Sequence, residues 1–248
     1  MPSTIGENEE STMNYAPRAL SSSVAQADVK SRARFIMRTY GHLLAAILAF
    51  AMLEVFLFTS GLAQPIASVF LTSGTVGMLL MFGGFVVMGG LFRSLAHSAR
   101  SITTQYLGLG AYVVLEAIIF VPLLYVADHY APGAIQSAAV VTMLGFAGLT
   151  AVAFTTRKDF SFLGGMIRWG FILALIAIVA ATIFGFSLGT LFSVAMVGLA
   201  GAAVLYDTSN VLHHFSEDSY VAAALELFAS IALMFWYMLR IFMGNRSN

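Results

Sequence analysis

The sequence predicts an all-α membrane protein in which seven transmembrane helices form one bundle. Of the 248 residues, 59% are hydrophobic and 10% are charged, whereas soluble proteins carry about 25% charged residues. Seven apolar stretches approach or exceed the roughly 20 residues that an α-helix needs to cross the hydrocarbon core of a bilayer. A bundle whose outer surface faces lipid accounts for this composition, because soluble proteins rarely expose large apolar surfaces.

The charge balance and the cysteine content exclude several other classes of protein. Twelve basic residues balance twelve acidic residues, so the net charge does not indicate nucleic-acid binding. The chain has no cysteine, which excludes disulfides, thiol nucleophiles and thiolate metal ligands. The first 30 residues are polar and contain acids, unlike a secretory signal peptide. We therefore expect the first transmembrane helix to direct insertion.

The N-terminal segment differs in composition from the rest of the chain. Residues 1–31 are rich in Ser, Ala and Glu and show no periodicity, which predicts a disordered cytoplasmic tail. A transmembrane domain over residues 32–248 follows. The basic run at 30–34 is typical of the cytoplasmic flank of a first span. We predict that span at about 36–59, with Glu54 near its outer end.

The remaining spans follow from the apolar stretches. They are predicted at about 73–93, 105–127, 134–155, 167–186, 189–207 and 220–243. Residues 60–72 are expected to form an uncharged link that contains Pro65. Glu116 is the deepest acid, near the middle of span three, and must face the bundle interior. Two interpretations stay open for it: a pore-lining group, or a neutral hydrogen bond between helices.

The distribution of basic residues predicts the orientation in the membrane. With the N-terminus in the cytoplasm, ten of the twelve basic residues lie inside, as the positive-inside rule requires. Those ten are Arg18, Lys30, Arg32, Arg34, Arg38, Arg93, Arg100, Arg157, Lys158 and Arg168. Arg240 and Arg246 lie outside if span seven crosses fully, and inside if it is re-entrant. We predict a multi-pass protein of the cell (inner) membrane.

Two carboxylates at the predicted cytoplasmic mouth are the main functional candidates. Asp207 ends span six, and Glu226 lies about two turns into span seven. Acids at the edge of hydrocarbon are costly and are functional by default. If the two meet, they can share a proton or hold a hard cation. We expect Arg93, at a matching depth, to form a salt bridge with Asp207 that holds the mouth shut. The alternative is that all these groups are simply solvated at the interface.

Other polar groups give weaker signals. His213 and His214 lie near Glu217 and Asp218, which allows either metal binding or a solvated loop. The chain contains no HExxH motif and no second aspartate of the kind that an intramembrane aspartyl protease requires. The sequence therefore predicts neither an enzyme nor a bound cofactor.

Several motifs resemble those of a known membrane family. LYDTS at 205–209 and SYVAAAL at 219–225 are similar to the signature of the Bax inhibitor 1 / YccA-like family of transmembrane Bax-inhibitor-motif proteins. TTRKDFSFLGG at 155–165 resembles the family's link between spans four and five, and RTYG at 38–41 its opening of span one. The resemblance covers about residues 34–243. It implies seven helices with the last one central, surrounded by the other six.

The resemblance also implies a function. It indicates a calcium leak or a pH-responsive cation function built on a pair of aspartates. Animal members are linked to suppression of cell death, and bacterial YccA-like members to modulation of the membrane-bound protease FtsH. This chain departs from the pattern, because Ser230 occupies the position of the second aspartate and Leu233 that of a following asparagine. Glu226 lies four residues before Ser230 and so on the same helix face.

Our hypothesis is that an Asp207–Glu226 pair replaces the family's aspartate pair. It predicts that Glu226 points at span six, within hydrogen-bond or one-water reach of Asp207. The first functional expectation is a pH-sensitive calcium or cation leak, with Asp207 as the titrating latch, Arg93 as its counter-charge and Glu226 as the second acid. The alternative is a non-conducting regulator of a membrane protease or another stress-response partner. In that case the partner could bind the N-terminal tail.

Overall fold

The structure, a computed structural model, describes residues 23–26, 28–98 and 101–244, and the regular elements among them are helices. Seven of these helices are long and apolar enough to cross a membrane, as predicted. They are α1 Val29–Thr59, α3 Gly74–Ala96, α4 Ile102–Tyr130, α5 Ala134–Thr156, α6 Leu163–Phe184, α7 Gly189–His213 and α8 Tyr220–Gly244. A shorter apolar helix, α2, covers Ala63–Thr72.

Two helices differ from the predicted boundaries in ways that matter for the site. Helix α2 forms within the stretch expected to be a link, and Pro65 is compatible with it because a helix's first turn needs no intrahelical N–H. Helix α7 continues six residues beyond Asp207, to His213. The polar residues Thr208 and Ser209, interpreted as the start of a loop, are instead buried and helical. Asp207 is therefore inside a helix rather than at its end.

Helix α8 is the centre of the bundle, as the family resemblance implies. It packs against α1, α3, α4, α5 and α7, and most of its residues are buried. Consecutive alanines at 222–224 are fully or almost fully buried, since small side chains let helices approach closely. Outer helices instead present large apolar side chains to the surroundings, such as Val87 on α3 and Leu173 on α6. This is the distribution expected of a bundle that faces lipid.

One end of the bundle, which we call the basic face, is formed by the ends of α3, α5 and α7, the loop between α5 and α6, and the starts of α1, α6 and α8. The described basic residues that were predicted to share one side of the membrane belong to these segments: Lys30, Arg32, Arg34, Arg38, Arg93, Arg157, Lys158 and Arg168. Arg18, Arg100 and Arg246 lie outside the described residues. At the opposite end, Gly244 lies against Thr190 at the start of α7. Helix α8 therefore runs the full length of α7 and is not re-entrant.

The chain just before α1 is packed against the basic face. The backbone N–H of Val24 donates to the carbonyl of Phe215 at 2.9 Å, Ser23 forms a β-bridge with Ser216, and Val24 is fully buried. Residues 29–31 already belong to α1. The end of the segment predicted to be a disordered tail is thus ordered by contacts, while residues 1–22 and 27 lie outside the described residues.

Candidate functional site

An ion pair joins α3 to α8 at the basic face. Nη1 of Arg93 lies 3.0 Å from Oε2 of Glu226, and Nε2 of His97 lies 3.8 Å from Oε1 of the same carboxylate. Arg93 and His97 are four residues apart, so they share one face of α3. The Arg93 side chain is 43% exposed and that of Glu226 is 19% exposed. Glu226 is therefore held between the permanent positive charge of Arg93 and the imidazole ring of His97.

A buried hydrogen bond joins α7 to α8 deeper in the bundle. The hydroxyl of Ser230 donates to Oδ2 of Asp207 at 2.5 Å, and both side chains are buried. Ser230 stands where the family resemblance places a second aspartate. A serine hydroxyl supplies one neutral donor, so the contact satisfies an ionised Asp207 without the repulsion between two carboxylates. Residue 230 therefore keeps a contact with Asp207 but carries no charge of its own.

The salt bridge expected between Arg93 and Asp207 is wrong, and the expected Asp207–Glu226 pair is not a direct contact. Arg93 makes its ion pair with Glu226 and not with Asp207. No direct hydrogen bond joins Asp207 to Glu226 in the described part of the chain, although the charges of Arg93 and Glu226 both act on Asp207. The reason is the axial register of α8. Ser230 lies level with Asp207, and Glu226, one turn nearer the basic face, lies level with Arg93.

Glu116 lies in the middle of α4 and is 3% exposed. Its side chain interacts with Tyr112, which also interacts with Arg93; the guanidinium carbon of Arg93 is 5.7 Å from the centre of the tyrosine ring. Glu116 also lines a cavity of about 340 Å³. Tyr112 lies on the same helix as Glu116, so this contact is not the hydrogen bond between helices that was one of the two interpretations. The pore-lining interpretation stays a prediction. Tyr112 was not singled out in the sequence, although it lies one turn before Glu116.

Glu54 lies near the end of α1, as expected, but its side chain is buried. It is 8% exposed, and neither of its carboxylate oxygens has a hydrogen-bond partner among the described residues. Its helix face also carries Phe50 and Phe58, four residues away on either side, which pack against the apolar core. A burial of this kind disfavours the charged form of a carboxyl group. We assign Glu54 no role in the cluster on the basic face.

His214 ties the loop between α5 and α6 to the end of α7, whereas His213 contacts a carbonyl of its own helix. Nε2 of His214 lies 3.0 Å from Oδ2 of Asp159 in the loop between α5 and α6, and Nδ1 of His213 is 2.9 Å from the carbonyl of Ser209. The backbone N–H of Ser161 donates to Asp159 at 2.8 Å and holds the pKa of that carboxyl below its ordinary value. No cluster of three or more candidate metal ligands occurs among residues 23–26, 28–98 and 101–244.

Comparison with known proteins gives consistent matches over the membrane domain. The family model described as "Inhibitor of apoptosis-promoting Bax1" matches residues 32–248. An uncharacterised protein of Pseudomonas aeruginosa is 31% identical over 88% of this chain and 92% of its own length. The modulator of FtsH protease YccA of Escherichia coli, called inner membrane protein YccA in a second strain, is 28% identical over 74% of this chain and 85% of its own. A Golgi anti-apoptotic protein of Vaccinia virus is 27% identical over 94% of this chain and 92% of its own.

Proposed function

The chain belongs to the Bax inhibitor-1 family of membrane proteins, and from this membership we propose that it is a pH-sensitive cation leak gated at the basic face. The observation that carries the proposal is the ion pair between Arg93 and Glu226, which joins α3 to the central helix. Asp207, one turn deeper and buried, supplies a second acid on the path inward. Calcium is the cation to test first, because carboxylate oxygens are its preferred ligands.

The proposed gate depends on the charge of Glu226. While Glu226 is ionised, its attraction to Arg93 holds α3 against α8 and the mouth is closed. Protonation of Glu226 removes that attraction, so flux should increase in acid. His97, whose Nε2 lies 3.8 Å from the same carboxylate, adds a second contact between α3 and α8. Asp207, paired with the neutral hydroxyl of Ser230, remains available to a passing cation.

Calcium flux into proteoliposomes at pH 4 and pH 8 tests the proposal, since carboxyl groups ordinarily take up a proton near about pH 4. We expect flux to be larger at pH 4, Glu226→Gln to give high flux at both pH values, and Asp207→Asn to lower it. Asp218→Asn is the matched control, because Asp218 is an exposed acid on the same face and outside the ion pair. Flux no higher than in empty liposomes at either pH would refute a leak.

A second candidate function is a non-conducting regulator of a membrane protease. Two observations favour it: the name of the Escherichia coli relative as a modulator of the FtsH protease, and the replacement of the family's second aspartate by Ser230. The relatives' names describe a modulator and an anti-apoptotic protein and not an enzyme, in line with the sequence prediction. We further infer an inner-membrane location with the basic face in the cytoplasm.

Removal of residues 1–22 separates the two candidates. This truncation leaves Val24 and its contact with Phe215 in place, so the bundle and the ion pair are unaffected. A leak through the bundle should keep its flux. Regulation through the tail should be lost, which is measured as the lifetime of a substrate of the membrane protease in cells that express the full-length or the truncated chain.

A further inference from the structure

A cavity of about 340 Å³ lies inside the bundle, bordered by α3, α4, α6, α7 and α8. Its walls are almost entirely aliphatic and aromatic, and Glu116 is the one charged side chain among the residues that line it in the described chain. Ligand sites in proteins are typically apolar cavities of about 300–1,000 Å³ with a few polar groups that orient the ligand. The size is at the lower end of that range, which suits a single alkyl chain or a small ring.

Glu116 gives the cavity a chemical preference. Its carboxylate is buried, and its described protein partner is Tyr112. A carboxylate has about four sites that accept hydrogen bonds, so one tyrosine leaves capacity on the side that faces the cavity. The nearest positive side chain, Arg93, is committed to Glu226. A ligand with a positively charged donor would therefore complete the surroundings of Glu116.

The cavity borders on lipid at the side of the bundle. On α3, Val86 contributes to its wall and is 53% exposed; on α6, Ile172 and Leu175 contribute and are each 42% exposed. In a membrane these exposed flanks contact lipid acyl chains. A molecule dissolved in the bilayer can thus enter between α3 and α6.

We propose that this cavity binds a membrane-dissolved amphiphile with one apolar chain and one protonated amine, with the ammonium group on Glu116. A fatty acid would place a second negative charge beside Glu116, and a neutral alcohol would forgo the stronger charge-assisted bond. A two-chain lipid exceeds the volume. The proposal is independent of the leak, because it holds whether or not the protein conducts ions.

The two tryptophans of the chain provide a direct assay. Trp236 lines the cavity, whereas Trp169 is 66% exposed on the outside of α6. In a Trp169→Phe variant reconstituted in vesicles, Trp236 fluorescence reports on the cavity alone. The probes are an undecylamine, an undecanol and an undecanoic acid, each with a terminal bromine that quenches tryptophan. We expect saturable quenching by the amine, at a concentration about tenfold lower than for the alcohol.

Two variants separate binding in the cavity from dissolution in the bilayer. Glu116→Gln should bring the amine to the level of the alcohol. Ala174→Phe, which fills the cavity from α6 without altering Glu116, should abolish saturable quenching by every probe; it keeps the test meaningful if the Gln variant folds poorly. Equal quenching by all three probes in every variant, or tighter binding of the alcohol or the acid than of the amine, would overturn the proposal.

Discussion

The strength of the Arg93–Glu226 pair determines how far its loss should open the proposed gate. Two unit charges 3.0 Å apart attract by about 1.4 kcal/mol in bulk water and by about 5.5 kcal/mol at an effective dielectric constant of 20. Arg93 is 43% exposed, so solvent screening places the net coupling near the lower value. We therefore expect a coupling of about 1–2 kcal/mol, or about a tenfold change in an equilibrium constant.

A double-mutant cycle measures this coupling directly. Calcium flux at pH 8 is recorded for Arg93→Gln, Glu226→Gln and the double variant in proteoliposomes. Each single variant should raise flux by up to about tenfold, and the double variant should resemble either single one, because the pair is broken only once. The charge reversal Arg93→Glu with Glu226→Arg should return flux toward that of the original protein.

Additive effects in the cycle would refute the reasoning. If the double variant showed the product of the two single increases, Arg93 and Glu226 would act on flux separately and not as a pair. Asp218→Asn, a neutralised acid on the same face, should leave flux unchanged; an increase there would attribute the result to the overall potential of the basic face. Protein orientation in the vesicles is checked for each variant, so that flux is compared per inward-facing molecule.

Three further predictions concern the other contacts. Ser230→Ala removes the hydrogen-bond donor to the buried Asp207, so it should lower the free energy of unfolding by about 1–3 kcal/mol, measured by thermal or denaturant unfolding against Ser230→Thr, which keeps a hydroxyl. Because the chain has no cysteine, the single substitutions Ser187→Cys and Asp218→Cys report topology. An impermeant thiol reagent added to intact cells should label the cysteine at 187 and not the one at 218. Labelling of the cysteine at 218 alone would show the opposite orientation in the membrane. A backbone N–H holds the pKa of Asp159 below its ordinary value, so the docked α5–α6 loop should keep its hydrogen-exchange protection above about pH 4 and lose it as the pH falls further; Asp159→Asn should lack this acid transition.

The seven spans could be predicted because crossing a bilayer is a property of length and composition along the chain. Helix α2 could not, since a short apolar helix and an extended apolar link look alike in sequence. Helix α7 extends beyond its predicted end, because polarity at Asp207 does not here indicate contact with solvent. Asp207, Thr208 and Ser209 are polar and buried, and Ser230 on α8 provides the hydrogen-bond partner of Asp207.

The residues of the basic face could also be named from the sequence, but their pairing could not. Asp207, Glu226 and Arg93 stand out because charged groups are rare and costly at this depth. Which acid faces Arg93 depends on how far α8 is shifted along its axis relative to α3 and α7. One helical turn is 5.4 Å, which is larger than the reach of a salt bridge and smaller than the uncertainty of a boundary read from hydropathy.

The register of α8 also explains how this chain can keep two acids while lacking the aspartate pair. A shared-proton pair requires two carboxyl groups at one level. Here the second carboxyl, Glu226, lies one turn nearer the basic face than Ser230, so each acid has its own partner: a neutral hydroxyl for Asp207 and a guanidinium for Glu226. The two acids then no longer compete for one proton, and under the proposed function the response to pH would depend on an ion pair and not on a shared proton. If that is so, Ser230→Asp should restore a second, distinct pH dependence of flux that persists when Glu226 is replaced by Gln; a Ser230→Asp variant whose pH dependence still vanishes with Glu226→Gln would show that the ion pair alone sets the response.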